Sequence, residues 1–226
     1  MKACIHQPNY LPYIGFFNKI KNTEVYVLFD IAQYEKNKFC NRNQIRTENG
    51  SMYLTIPVLS KDCYLKRMCD VKLPPNSKWM KKHWKAIEAN YAKSEYFDSY
   101  KDPIEKLYQT NFTSLVDFNE EIIKFLINEF CLESTIIKST DLNLDQNLKS
   151  TDLLINILKE INAASYLSGS SGKNYLNELT FKKEGIKLEY QHFTHPVYKQ
   201  RFNGFVENMA AFDLLFNIGE KSKQMI

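Results

Sequence analysis

The spacing of apolar residues near the start of the chain is the feature that most constrains the fold. A strand is predicted over residues 3–6, a helix over 12–21, where apolar residues recur at helical spacing, and a buried strand over 25–29. Strand, helix and strand in this order form a β-α-β unit, in which the strands are parallel and the crossover is right-handed. This unit predicts an α/β fold with a partly parallel sheet.

A hairpin and a helical middle follow this unit. Asn49-Gly50 separates two alternating segments and predicts a β-hairpin over 43–56, and residues 71–73 are expected to add a short strand. Apolar residues at helical spacing, with capping residues and a proline that suits a first helical position, predict the next elements. These are a helix capped by Asn76 or Ser77 and reaching about residue 91, a helix that begins at Asp102-Pro103, and a helix over 115–131.

Strand and helix patterns alternate over the remaining residues. Strands are predicted at 135–137, 164–167 and 186–190, and helices at 151–160, 174–181 and 209–218. We therefore expect a single α/β domain over residues 1–226, with a mixed, partly parallel sheet flanked by helices. The helices around residues 77–131 are expected to form an inserted subdomain, with Trp79 and Trp84 in its core.

Composition excludes several classes of protein. The 226 residues are 44% hydrophobic and 25% charged, as in ordinary globular domains, and the net charge of +4 comes from interspersed charges of both signs. No duplex nucleic acid partner is expected, because such surfaces carry a concentrated basic stripe. No stretch has the length of a membrane span and no secretory signal is recognisable, so a cytoplasmic location is expected. The five cysteines lack CxxC spacing, which argues against a disulfide framework and a cysteine zinc site.

The first candidate site follows the first predicted strand. His6, Gln7, Asn9 and Tyr10 stand there between prolines, in a rigid polar turn. α/β proteins bind ligands at the carboxyl ends of parallel strands, so this turn is a candidate binding segment. Histidine in such a place acts as a general base, as a phosphate donor or as a hydrogen-bonded structural residue, and the sequence leaves these roles open.

The second candidate site follows the second predicted strand. Asp30 ends that strand, at the same sheet edge as His6 if the strands are parallel. Its carboxylate could hold sugar hydroxyls, orient His6 or bind a metal. Arg42 offers a planar fork for phosphate or carboxylate, although a polar hairpin strand would have the same composition. The neighbouring candidates for substrate binding are Gln33, Tyr34, Asn41 and Asn43.

Two later segments complete the set of candidates. Ser168, Gly169, Ser170 and Gly172 lie between a predicted strand and a predicted helix, where small residues free backbone N–H groups to cradle an anion. Tyr175 follows this loop. His195, Tyr198 and Gln200 follow the last predicted strand. The spacing of His192 and His195 matches no metal signature, so no metal site is predicted.

In their order along the chain, these blocks resemble the WbqC-like family. The resemblance covers nearly the whole chain, and the octapeptide that begins at Ile5 is its most specific part. The matching blocks are residues 6–17, 29–30, 33–34, 41–45, 54–58, 166–169, 172, 175–176, 195–200 and 213–219. One departure is Ala210-Ala211, where a serine-containing pair is expected, so the resemblance implies no essential serine there.

The resemblance implies a role in making surface polysaccharides such as O-antigen lipopolysaccharide and capsule. Such proteins occur beside enzymes that make amino-deoxysugars, which implies transfer of a small acyl or aminoacyl group, such as glycyl, onto the amine of a nucleotide-linked amino-deoxysugar. That amine must lose a proton when it attacks, so a general base is expected. We assign His6 to this role, with Asp30 or His195 as second choices.

Substrate contacts are assigned to the other candidates. Arg42 and the loop 168–172 are expected to hold phosphates, and Tyr10, Tyr34 and Tyr198 to pack against sugar and base. Two alternatives stay open: a non-catalytic protein that binds a nucleotide sugar, and a nucleotidylyl or ligase-type enzyme that uses ATP and Mg²⁺. The sequence leaves the cofactor unknown.

Overall fold

The computed structural model describes residues 1–59, 66–75 and 78–226, which form two compact units. The first unit comprises Met1–Gln7, Asn18–Ile31 and Leu132–Thr194. The second comprises Pro8–Phe17, Ala32–Cys131 and His195–Ile226. The predicted cap at Asn76 or Ser77 lies outside the described residues, as does Cys63.

The elements alternate between strand and helix at both ends of the chain. The strands are β1 (Lys2–His6), β2 (Val25–Leu28), β3 (Arg42–Thr47), β4 (Gly50–Thr55), β5 (Thr135–Lys138), β6 (Ser165–Ser168) and β7 (Lys187–Tyr190). The helices are α1 (Ile14–Lys21), α2 (Lys78–Tyr91), α3 (Phe97–Gln109), α4 (Leu115–Glu129), α5 (Ser150–Glu160), α6 (Glu178–Lys183) and α7 (Ala211–Ile218). The α/β class is confirmed.

The first unit contains a five-stranded parallel sheet in the order β5-β2-β1-β6-β7. The predicted β-α-β unit is therefore confirmed, with Cys4 paired to Tyr26 in register. From β1 the chain continues to β2 on one side, and from β6 to β7 on the other. Adjacent strands whose connections leave in opposite directions form a topological switch point, where α/β sheets bind ligands at the carboxyl ends of the strands.

Apolar side chains on one face of this sheet pack against α5 and α6. Ala3, Ile5, Val25 and Val27 alternate toward these helices, as the period of two in a strand requires, and join one buried core with Leu154, Leu158, Tyr166 and Phe181. Cys4 points the other way, and its Sγ accepts a hydrogen bond from Thr23 Oγ1 at 3.4 Å, just beyond α1. Thr23 therefore contacts the face of β1 opposite to this core.

The second unit contains the hairpin and the middle helices. β3 and β4 pair antiparallel and form a separate sheet, which confirms the hairpin. Its turn is Glu48-Asn49 rather than Asn49-Gly50, because Thr47 pairs with Gly50, the first residue of β4. Aromatic rings pack around Phe118, including Trp79 at 5.4 Å and Tyr108 at 5.5 Å between ring centroids. Trp79 and Trp84 are both buried, as expected for core residues.

Two helix starts and one strand predicted from the sequence are wrong. α3 begins at Phe97 rather than at Asp102, and Pro103 lies inside it, because Phe97, Tyr100 and Ile104 bury one continuous apolar stripe that extends the helix past the proline signal. Residues 71–73 form no strand; Lys72 makes a single bridge to Ser114.

The second wrong helix start is that of the helix predicted over 174–181. Residues Ser170–Asn174 form a short 3-10 helix, and α6 begins only at Glu178. Asn177 caps α6, since its Oδ1 accepts hydrogen bonds from the backbone N–H groups of Leu179 and Thr180. The apolar pattern correctly predicts a helix here, but the helix begins after Asn177, because this side chain accepts hydrogen bonds from the first free N–H groups.

Candidate functional site

A cavity of about 400 Å³ opens in the first unit at the carboxyl end of β1. It lies at the switch point between β1 and β6, since both strands contribute to its wall. Its wall combines apolar side chains with a few polar groups, the usual composition of a small-molecule site. The lining residues are Ile5, His6, Gln7, Phe29, Ser150, Leu153, Leu154, Tyr166 and Tyr175.

His6 ends β1 and presents a neutral imidazole to the cavity. Its Nδ1 lies 2.9 Å from the carbonyl oxygen of Gln7, which only accepts, so Nδ1 carries the proton and the basic lone pair is on Nε2. Desolvation, and then the charge of Lys19 on α1, lower the pKa of His6 to about 3, against the opposing effect of the Gln7 hydrogen bond. The ring is therefore unprotonated throughout the neutral range.

Two tyrosines also line the cavity. Tyr166 on β6 is buried and stacks on Phe181, with ring centroids 5.7 Å apart, so its position is fixed by the core. Tyr175 follows the 3-10 helix and is 60% exposed. One aromatic group is thus rigid and one faces solvent at the edge of the cavity, an arrangement that suits packing against a ring-shaped ligand.

Asp30 lies at the carboxyl end of β2, as predicted, but it is not in the cavity wall. Its Oδ1 accepts hydrogen bonds from Ser139 Oγ at 2.6 Å and from the N–H of Thr140 at 3.0 Å. Its Oδ2 accepts a third from Thr140 Oγ1 at 2.7 Å. The carboxylate therefore ties the end of β2 to the residues that follow β5.

The loop 168–172 belongs to the first unit and is tightly folded. Ser168 is buried and its Oγ donates to the carbonyl oxygen of Gly169 at 3.2 Å. Gly172 packs against it so closely that a Cβ at this position would stand 2.1 Å from Ser168 Oγ. Gly169 has open space around it, and Ser170 is exposed. The predicted anion-binding role of this loop stays a prediction.

Most of the remaining candidates lie in the second unit, where several stabilise the backbone. Asn41 Nδ2 donates to the carbonyl oxygen of Ile56 and Asn43 Nδ2 to that of Leu11. Tyr10 is fully buried, and its hydroxyl lies 2.8 Å from His83 Nδ1. Others show no single pattern: Asn9 and Tyr34 are buried, Gln33 is exposed and bridges Arg67, and Arg42 lies over the ring of Tyr53 at 4.6 Å.

Tyr198 and Gln200 of the second unit converge on a buried carboxylate. The hydroxyl of Tyr198 donates to Asp213 Oδ2 at 2.7 Å, and Gln200 Nε2 donates to the same oxygen at 2.8 Å. Burial raises the pKa of Asp213, against the effect of these bonds and of the Arg46 charge. The ring of His195 lies 6.3 Å from that of Tyr198, between centroids. The hydrogen bonds to Asp213 therefore form a buried polar network within the core of the second unit.

The structure therefore groups only part of the predicted set. His6, Gln7 and Tyr175 share one cavity, whereas the roles of the other candidates stay predictions. Sequence reasoning missed Tyr166 and Ser150 as wall residues. Tyr166 belongs to one of the segments that resemble the WbqC-like family, and its period-two position in β6 indicates the direction of its side chain. Ser150 has a left-handed φ of 51°, and no sequence pattern indicates that it lines a cavity.

Comparison with known proteins gives one family match and one curated relative. The model of the WbqC-like protein family matches residues 7–225. The chain is also similar to the uncharacterized protein Rv1507c of Mycobacterium tuberculosis (strain ATCC 25618 / H37Rv), with 29% identity over 223 residues, covering 98% of this chain and 95% of that protein. No solved structure matches significantly. Within the described stretches, no helix has the length and apolarity needed to cross a membrane.

Proposed function

The chain belongs to the WbqC-like protein family, and we propose that it is a transferase acting on a nucleotide-linked amino-deoxysugar. It moves a small acyl or aminoacyl group, such as glycyl, from an activated donor to the sugar amine, in the cytoplasm, for the synthesis of surface polysaccharide. The observation that supports this proposal is the cavity at the β1–β6 switch point, with the neutral imidazole of His6 in its wall.

The proposed reaction needs one proton acceptor beside the amine. The amine nitrogen attacks the carbonyl carbon of an activated acyl ester or thioester, so that a C–N bond forms and the bond from carbon to the oxygen or sulfur of the leaving group breaks. The proton of the attacking nitrogen passes to His6 Nε2 and then to the leaving group. The attached nitrogen is more acidic once the C–N bond forms than in the free ammonium, which favours the transfer of its proton to the imidazole.

The size and polarity of the cavity suit this substrate. A volume of about 400 Å³ accommodates a sugar ring with an acyl group, and Gln7, Ser150 and Tyr166 offer hydrogen-bonding groups for its substituents. Asp30 and His195 stay the second choices for the base. Arg42 and the loop 168–172 stay the proposed phosphate contacts.

A ligand panel tests the proposal. The purified protein is heated with nucleotide sugars that carry a hydroxyl or an amine, with acyl-CoA and with ATP. We expect an amino-sugar nucleotide to raise the melting temperature, because a ligand at 100 times its Kd adds about 2.7 kcal/mol to stability. With a suitable donor, mass spectrometry should then detect the acylated sugar nucleotide.

The other outcomes separate the alternatives. Tight binding of a sugar nucleotide with no product from any donor identifies a binding protein. Release of pyrophosphate that depends on ATP identifies a nucleotidylyl or ligase-type enzyme. A protein that neither binds nor converts any nucleotide sugar is not the proposed transferase.

A further inference from the structure

The wall of the cavity in the first unit carries no ionised side chain among the described residues. Its polar atoms come from His6, Gln7, Ser150, Tyr166 and Tyr175. Burial raises the pKa of both tyrosines, which stay phenols at neutral pH. His6 is unprotonated above its lowered pKa of about 3. The wall is therefore neutral from mildly acidic to mildly basic pH.

The charge that acts on His6 is positive. Lys19 on α1 is buried, and within the part of the chain that the structure describes no carboxylate forms an ion pair with it. Its charge helps to lower the pKa of His6, and burial lowers its own pKa to about 8. Cys4, which faces the same side, is a neutral thiol because burial raises its pKa.

Charged residues next to the wall residues in sequence do not line the cavity. Asp30, next to the wall residue of β2, accepts its hydrogen bonds from Ser139 and Thr140. Asp152 on α5 is exposed. Lys173 is exposed as well, with its Nζ 5.3 Å from the centroid of the Tyr190 ring. None of these groups lines the cavity.

A cation that enters such a cavity loses water molecules of hydration, and no carboxylate in the wall compensates for this loss. The positive charge of Lys19 also repels the cation. Resting on the function proposed above, we propose that the cavity binds the amino-sugar ring with its amine unprotonated and excludes the ammonium form. The ammonium has no lone pair, so the cavity selects the only form of the substrate that can attack an acyl donor.

The pH dependence of sugar binding tests this inference. Methyl glucosaminide, whose amine titrates near neutral pH, and methyl glucoside are titrated into the protein and followed by NMR between pH 6 and 9. We expect the affinity for the glucosaminide to rise about tenfold for each pH unit below the amine pKa and to level off above it. The affinity for the glucoside should change less than twofold.

Charge variants supply the controls. Gln7→Glu places a carboxylate in the wall and should abolish or reverse the pH dependence, whereas Gln7→Met should preserve it. Lys19→Met removes the neighbouring cation that titrates in the same range, and the rise of glucosaminide affinity with pH should persist in this variant.

The outcomes separate this inference from the proposed function. Tighter binding of the glucosaminide at low pH, or affinity that does not change with pH, overturns the inference and leaves the transferase proposal standing. If neither glycoside binds the cavity and no nucleotide sugar binds the protein, both are overturned.

Discussion

A single imidazole carries the proposed chemistry, so the sharpest test at the residue scale is His6→Ala. We expect the variant to lose about 10²–10⁴-fold in kcat, the contribution of one general base. The pH profile of the wild-type protein should show no loss of activity between pH 7 and 5 from this residue, because its pKa is lowered to about 3. Acyl-transfer rates of the purified variants measure both effects.

His192 provides the matched control for this prediction. It is an exposed histidine of the same unit and lies outside the cavity wall. His192→Ala should keep wild-type turnover. A His6→Ala variant with turnover within a few-fold of wild type would contradict the assignment of the base.

Close packing between two small residues makes a second prediction at this scale. A methyl group at Gly172 would meet Ser168 Oγ at 2.1 Å and Leu176 Cδ1 at 3.0 Å, so Gly172→Ala forces the loop to move. We expect it to lower the free energy of unfolding by about 1–3 kcal/mol, the usual range for overpacking. Urea denaturation measures the change.

The neighbouring glycine and serine give the controls. Gly169→Ala meets no atom within 4 Å and should leave stability within about 0.5 kcal/mol of wild type. Adding Ser168→Ala to Gly172→Ala removes the closest contact, so the double variant should lose less stability than the two single changes added together. Strict additivity would show that the Ser168 hydroxyl is not the obstacle.

At the scale of elements, Asp30 joins two neighbouring strands of the parallel sheet. It follows β2, and its three hydrogen bonds come from residues that follow β5. Asp30→Ala leaves the buried hydroxyl of Ser139 and the two donors of the exposed Thr140 without this acceptor, and we expect a loss of about 1–3 kcal/mol in the free energy of unfolding. Chemical denaturation, with the acyl-transfer rate measured on the folded fraction, gives both quantities.

The conservative variants separate this role from catalysis. Ser139→Ala and Thr140→Ala each remove a donor and should reproduce part of the loss of stability. If Asp30 were the base, Asp30→Ala would also lower the kcat of the folded fraction by the large factor expected for His6.

Local patterns predicted these elements well where one signal dominated. The β1-α1-β2 unit follows from apolar periodicity, and Asn49-Gly50 indicates the hairpin, although the turn lies one residue earlier, at Glu48-Asn49. The prediction failed where packing overrode a local signal: Pro103 suggests a helix start, yet the buried stripe from Phe97 to Ile104 extends α3 beyond it. A single sequence does not reveal which partner a stripe will bury against.

At the scale of the whole molecule, the same limit applies to the candidate site. The end of β1 was predicted as a binding segment, because chain order alone places His6 and Gln7 there. The switch point depends on β6 pairing with β1, a long-range contact that also brings Tyr166 to the wall. Amides such as Asn41 and Asn43 looked like ligand contacts, but both bind backbone carbonyl groups inside the second unit.

Stability against acid is a property of the whole chain that buried histidines control. His83 is buried beside Tyr10, and desolvation lowers its pKa to about 4. In the unfolded chain a histidine titrates near pH 6.5. Between pH 4 and pH 6.5 the unfolded state therefore binds a proton at His83 that the folded state does not bind. Stability is therefore fully present above about pH 6.5 and falls as the pH drops toward 4.

A histidine variant isolates this effect. One proton of difference changes the free energy of unfolding by about 1.4 kcal/mol per pH unit, so His83 alone accounts for a loss on the order of 3 kcal/mol by pH 4. His83→Asn keeps a polar atom near Nδ1 to meet the Tyr10 hydroxyl but does not titrate. Urea denaturation of wild type and variant between pH 4.5 and 7.5 should give a smaller slope of stability against pH in the variant.

The sign of the change of stability with pH distinguishes the effect of His83 from that of Asp213, the buried acid of the same unit. Asp213 has a raised pKa, so its contribution falls as the pH rises through and above the usual carboxyl range, opposite to that of His83. The difference between wild type and His83→Asn removes the Asp213 term, which is common to both. Equal slopes in the two proteins would mean that His83 binds the same number of protons in the folded and unfolded chains, so that burial does not lower its pKa.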